Sequence, residues 1–226
     1  MKNSQGILLV DKKAGSPSFR LVTLLRRLTR IQKIGHAGTL DPFATGVMVM
    51  LIGSEYTKKS DQFLHADKQY RATFHLGITT DSYDIDGTVI ARNDKIPTQA
   101  QIEAAVTTFQ GTILQTPPMF SAKKIQGQKL YDLARQGISI PRAPVEVRVK
   151  IEILRYEYPH LELLIDCSKG TYIRSLAYDL GELLGTGAHV STLIRTKSGA
   201  FHLEDCIPEV YLEDPNYTPI LKESYV

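Results

Sequence analysis

The sequence predicts an α+β domain rather than a doubly wound one, on three observations. Strand-like alternation recurs at residues 70–76, 145–153 and 161–167, and helical apolar spacing recurs after Ser18, after Thr98 and after Gly170. The two kinds of segment follow one another without regular β-α-β alternation, and no internal repeat or low-complexity linker separates them.

Taken in chain order, Ile7 to Val10 is a short buried strand, and Ser16-Pro17-Ser18 starts a helix carrying Val22, Leu25 and Leu28 at helical spacing. The arginines of this helix fall mostly off its apolar stripe. Gly35 to Gly46 (Gly-His-Ala-Gly-Thr-Leu-Asp-Pro-Phe-Ala-Thr-Gly) then reads as a rigid loop presenting His36 and Asp41. Its glycines open backbone angles closed to other residues, and Pro42 pushes Asp41 toward an extended conformation. The apolar run Val47 to Ile52 is the buried strand or helix that anchors it.

Tyr70, Ala72, Phe74 and Leu76 alternate with Arg71, Thr73 and His75 as a half-buried strand does, and Asp84-Ile85-Asp86-Gly87 marks a turn. Thr98 and Gln101 form a capping box ahead of Ile102, Ala105, Val106 and Phe109, with Gly111 placed to end that helix. Val145 to Ile153 and Leu161 to Cys167 alternate again. Past Ser168-Lys169-Gly170 the period becomes helical through Ile173, Leu176, Ala177, Leu180 and Leu184.

With 226 residues and 42% hydrophobic residues, the chain can build one large core without staples. Cys167 and Cys206 stand far apart and outside any Cys-x-x-Cys frame, which fits a reducing cytoplasm. No segment approaches the roughly 18 uncharged apolar residues of a membrane span, so a soluble cytoplasmic protein is expected. The net charge is +3, but residues 201–226 hold six acids against Lys222 alone; that balance of −5 leaves +8 for residues 1–200. Lys12, Lys13, Arg20, Arg26, Arg27, Arg30 and Lys33 form a basic run without an acid. Such a run is a solvated helix face or a phosphate-binding surface.

Neither a phosphate-binding loop nor a dinucleotide fingerprint is present. Asp81, Asp84 and Asp86 before Gly87 suggest a calcium loop, but that frame puts Ser82 at its first position and Asn93 at its last, where Asp and Glu are required. The six histidines show no ligand spacing. No metal is expected.

The loop of residues 35–46 resembles the catalytic motif of the bacterial tRNA pseudouridine-55 synthases. Five further segments match that family in order: Val10 to Gly15, Asp67 to Arg71, Lys123 to Arg135, Cys167 to Arg174, and Gly187 to Arg195. The resemblance implies a pseudouridine-synthase-like catalytic domain over residues 1–200, with a mixed, mainly antiparallel sheet flanked by helices. It implies isomerisation of uridine 55 in the tRNA T-loop, without a cofactor, by a monomer that acts on a flipped base. Asp41 corresponds to the nucleophile, attacking base or ribose, and Arg174 to its partner. Tyr70 corresponds to the tyrosine that stacks on the uracil, with a second role as a base in a route through an elimination, and Tyr172 and Leu193 to residues lining the pocket. His36 corresponds to a residue that enters the RNA loop and fills the space of the flipped nucleotide.

Lys123, Lys124, Lys129, Tyr131, Arg135 and Arg142 correspond to an insertion that clamps the T-arm, and Lys12 and Lys13 are expected to contact the RNA backbone or steady the catalytic loop. Two departures stand out. The family commonly carries proline where this chain has Lys13, and relatives usually carry a small RNA-binding domain beyond the catalytic one. Residues 201–226 are expected instead to be an acidic tail with no separate RNA-binding domain. A tRNA-folding chaperone and the catalytic subunit of a guide-RNA-dependent synthase are the alternative readings.

Overall fold

A strand buried on both faces needs apolar residues at every position, and the run after the glycine-rich loop has them. The computed structural model describes residues 5–121, 124–125 and 127–223. It divides into two compact units, Met1–Tyr70 with Leu193–Val226, and Arg71–Thr192. The chain crosses from one to the other within strands.

The first unit lays down β1 (Gly6–Lys12), α1 (Phe19–Thr29), β2 (Ile34–His36) and β3 (Thr45–Ile52), then two short helices, α2 (Ser54–Thr57) and α3 (Ser60–Leu64). It leaves along β4 (Lys68–Leu76). β1 runs antiparallel to β3 from Gly6↔Ile52 to Lys12↔Gly46, while β2 pairs with the far end of β3 from Ile34↔Ile52 to His36↔Met50. Every residue of β3 after Thr45 is buried. Val47, Val49 and Leu51 pack one face with Ile7, Leu9, Ala37, Tyr56 and Phe201. Each such side chain contributes about 1.5–3 kcal/mol on burial, so β3 is a stiff backing for the loop that precedes it. Ser18 stands at the N-cap of α1 but makes no side-chain cap bond there; its hydroxyl bonds Leu40 instead.

The second unit continues with β5 (Ile78–Thr80), β6 (Val89–Arg92), α4 (Gln99–Thr108), β7 (Gly111–Gln115), β8 (Lys124–Ile125), β9 (Gln128–Lys129) and α5 (Leu130–Arg135). It then adds β10 (Val145–Glu157), β11 (His160–Cys167), α6 (Ile173–Leu184) and the start of β12 (Ala188–Ser198). Strand order is β4-β11-β10-β7, with β10 antiparallel to both β11 and β7. Alternation sends Ala72, Phe74, Leu76, Val147, Val149 and Ile151 inward. The capping box of Thr98 and Gln101 forms with both of its hydrogen bonds. The expected end of that helix lies earlier than Gly111: Phe109 caps it, and Gly111, at φ +84°, opens β7.

β12 re-enters the first unit and pairs in parallel with β3 at Ile194↔Thr45 and Arg195↔Gly46. Beyond it, β13 (Phe201–His202) turns back on β12, and β14 (Ile207–Pro208) adds in parallel to β1. Lys222 and Ile7 exchange backbone hydrogen bonds. The stretch expected to be an acidic tail is therefore folded onto β1 and α1. Its buried Glu209 pairs with Arg20, Glu213 pairs with Lys13 and Arg20, and the carbonyls of Leu212 and Glu213 accept from Arg27. Three cations of the basic run are thus bound to the C-terminal segment. Architecture and strand directions agree with an α+β fold whose sheet is mixed and mainly antiparallel.

Candidate active site

In the first unit, the chain between β2 and β3 is an eight-residue loop, 37–44, that presents Asp41. Asp41-Pro42-Phe43-Ala44 closes as a turn, Ala44 N–H donating to the Asp41 carbonyl at 3.1 Å, with proline at the position whose φ it pre-sets. Both neighbours of Asp41 are gripped. The Ser18 hydroxyl donates to the Leu40 carbonyl at 2.8 Å and accepts from its N–H at 2.9 Å. The Pro42 carbonyl accepts from Gly15 N–H at 2.9 Å and from Lys12 Nζ at 3.1 Å. Asp41 itself is half-buried.

Lys12 is fully buried, and its ammonium also donates to the Lys13 carbonyl at 2.8 Å. Of its two expected roles, RNA contact and loop support, this geometry is that of loop support. Burial pulls its pKa down to about 8, with Arg195 in the same direction, against the carboxylates of Glu209, Asp41 and Asp11.

The rest of the loop hangs on Arg195, which has 1% of its surface exposed. Its Nε donates to the Val47 carbonyl at 2.8 Å, Nη2 to Gly38 at 3.2 Å and Nη1 to Thr39 at 3.4 Å. Sequence reasoning placed Arg195 in a matched motif without giving it a task. The available signal was its phase, since it shares the inward side of β12 with Leu193. Gly46 permits the approach: at φ +104°, a Cβ there would lie 2.3 Å from the Arg195 carbonyl oxygen. His36 ends β2 half-buried, with Nδ1 enclosed and without a hydrogen-bond partner among the described residues. Burial and then the Arg195 charge lower its pKa, the Gly38 carbonyl opposing, so the ring is neutral near pH 7. Tyr70 is half-buried on β4 and Leu193 is buried on β12.

The second unit holds Arg174 in the first turn of α6, buried. Its Nη1 donates to the Ser82 carbonyl at 3.0 Å and stands 3.3 Å from Asp84 Oδ2, while Nη2 donates to the Phe120 carbonyl at 2.6 Å. Asp84 Oδ1 accepts from the Ser82 hydroxyl at 2.6 Å and from Asp86 N–H at 3.1 Å. Asp84, considered from sequence only as a calcium ligand, is a buried counter-ion of Arg174. Its signal was the Asp-x-Asp-Gly turn, whose first carboxylate commonly bonds backbone two residues on. Tyr172 caps α6 half-buried, its N–H donating to Gln115 Oε1 at 2.7 Å and its carbonyl accepting from Gln115 Nε2 at 3.0 Å. Lys129 pairs with Lys124 across the β8–β9 hairpin; Lys123 lies outside the described residues. Arg135 lies over the Tyr131 ring at 5.5 Å.

The model of the TruB family pseudouridylate synthase N-terminal domain matches residues 26–173. The chain belongs to the TruB family of pseudouridylate synthases. The tRNA pseudouridylate synthase B C-terminal domain matches residues 174–224 of this TruB-family chain, from Arg174 through the folded C-terminal segment. A protein of Protochlamydia amoebophila named tRNA pseudouridine synthase B is 60% identical over 203 residues, covering 90% of this chain and 78% of that one. One of Clostridium tetani with the same name is 43% identical, covering 93% and 72%. Among solved structures, a chain in the crystal structure of a Cbf5-Nop10-Gar1 complex superposes with a TM-score of 0.72 at 29% identity, over 92% of this chain and 54% of that one. The TruB-family chain spans about half the length of that structural relative. Its enzyme class is that of the family, a pseudouridine synthase.

Proposed function

We propose that this enzyme isomerises uridine 55 in the T-loop of tRNA to pseudouridine, with Asp41 as nucleophile. The observation that carries the reading is the grip on both neighbours of Asp41, at Leu40 and at Pro42, which fixes a half-exposed carboxylate on a loop backed by a buried strand. A pre-oriented group of this kind removes much of the entropic cost of attack. The shared name of relatives at 43–60% identity, against 29% for the Cbf5 chain, favours tRNA over a guide-dependent substrate.

In the reaction the N1–C1′ bond of the uridine breaks and a C5–C1′ bond forms. The C5 proton leaves and N1 gains one, so nothing is oxidised or hydrolysed and no cofactor is required. Arg174 pairs with Asp41, keeping it ionised and oriented. Tyr70 stacks on the extruded uracil, an interaction of about 1–3 kcal/mol, and Tyr172 and Leu193 line the pocket. His36, neutral and flanked by Gly35 and Ala37, fills the gap in the RNA loop. Lys123 and Lys129 hold the T-arm, and the enzyme acts as a monomer.

Asp41→Asn is expected to abolish pseudouridine formation in an unmodified tRNA transcript while its affinity for the transcript stays within a few-fold; normal turnover by that variant removes the reading. Catalysis by the isolated chain, with neither guide RNA nor partner, separates this function from a guide-dependent one. A tRNA-folding assay with Asp41→Asn scores any chaperone activity apart from the chemistry.

A further inference from the structure

The C-terminal segment touches the chain that touches the catalytic loop. Glu209 follows β14, with its side chain fully enclosed. Its carboxylate accepts from three places on one stretch: Lys13 N–H at 2.9 Å, the Ser16 hydroxyl at 3.4 Å and Arg20 Nη1 at 2.6 Å. That stretch, residues 12–20, supplies the donors to either side of Asp41. Lys12 and Gly15 hold the Pro42 carbonyl and Ser18 holds Leu40.

We propose that Glu209 is a positioning residue for catalysis, setting Asp41 through residues 12–20. The inference rests on the reading of Asp41 as the nucleophile. A fully buried acid is retained at a desolvation cost, and here it satisfies a backbone donor and a cation at once. Lys13, unlike a proline, has an N–H to offer, and Glu209 holds it at 2.9 Å, so a carboxylate from the other end of the chain restrains the backbone at that position.

Glu209 also faces Lys12 electrostatically, together with Asp41, Asp11 and Arg195. It is the strongest of the charges favouring the ammonium, whose pKa of about 8 lies within reach of a pH–rate profile. Removing the Glu209 charge moves Lys12 deprotonation to lower pH.

The test is single-turnover pseudouridine formation on a tRNA transcript between pH 6.5 and 9, with transcript affinity and thermal unfolding measured in parallel. Glu209→Gln is expected to lower the rate constant roughly tenfold, as a small misplacement of a reacting group does, with affinity within about twofold. The alkaline fall in rate should begin at lower pH than in the wild type. Arg20→Gln, at the rim of the same carboxylate, should lose less, and Glu213→Gln, confined to surface pairs, should match the wild type. An unchanged rate and alkaline limb in folded Glu209→Gln overturns the proposal. If Glu209→Gln does not fold, an unchanged rate in Arg20→Gln overturns it instead. Activity in Asp41→Asn would instead strike the nucleophile reading, a result distinguishable from either.

Discussion

Arg195→Met removes a buried cation while keeping much of the apolar stem, and it tests whether the loop that presents Asp41 is suspended from β12. Three carbonyls lose a charged donor: Val47, at the buried start of β3, and Gly38 and Thr39 in the loop. An unmet buried acceptor costs about 1–3 kcal/mol. Water can reach Thr39, which is exposed, so that carbonyl contributes least. The expected loss is about 3–4 kcal/mol, and at roughly 2–4 °C per kcal/mol for a chain of this size the melting temperature should fall by about 6–16 °C. Thermal unfolding followed by circular dichroism reads it. A second, independent readout is the His36 imidazole, whose pKa Arg195 depresses and which should titrate at higher pH in the folded variant by NMR. Arg195→Lys should fall between, since one ammonium cannot span the three carbonyls. A melting temperature within about 2 °C of wild type, with His36 unmoved, would refute the suspension.

Gly46→Ala is expected to be at least as damaging, because the added Cβ meets Arg195 backbone atoms at 2.3–2.9 Å where β3 and β12 pair; poor recovery of folded protein, or a melting temperature lowered by more than about 10 °C, would register it. Asp84→Asn keeps the shape of the turn but takes one carboxylate charge from beside buried Arg174, and should cost about 3 kcal/mol in urea unfolding; a wild-type midpoint would mean the pair carries no stability. His36 and His75 both have pKa values lowered first by burial, so the unfolded chain binds protons more readily than the folded one. Stability should therefore fall as pH drops through about 6.5, and His36→Gln should soften that fall between pH 7 and 5.5. An identical slope in the variant would place the acid sensitivity elsewhere.

The elements that were legible from sequence are those whose local signal and tertiary role agree. β3 is an unbroken apolar run because both of its faces are covered, and the box at Thr98 and Gln101 is a purely local set of hydrogen bonds. The loop that presents Asp41 was legible because its glycines and proline lie in one contiguous stretch. Arg195 and Asp84 were not, since strand phase at Arg195 and the Asp-x-Asp-Gly turn at Asp84 point only to an inward or turn position and do not name the carbonyls and guanidinium they meet. For Lys12 the sequence left two roles open, because whether a lysine turns outward to phosphate or inward to a carbonyl depends on what packs over it.

Side-chain spacing, and the backbone angles that glycine and proline impose over a few residues, are enough to set the α+β class, the strand and helix periods, and the loop that carries Asp41. How that loop is held, and that residues 201–223 belong to the first unit as a folded segment, emerge only once the chain is packed. Those outcomes depend on contacts between residues separated by some 30 to 200 positions, as between Lys12 and Pro42, Gly46 and Arg195, and Lys13 and Glu209. A buried charge is stable only beside its partner, and the partner's place is set by the fold.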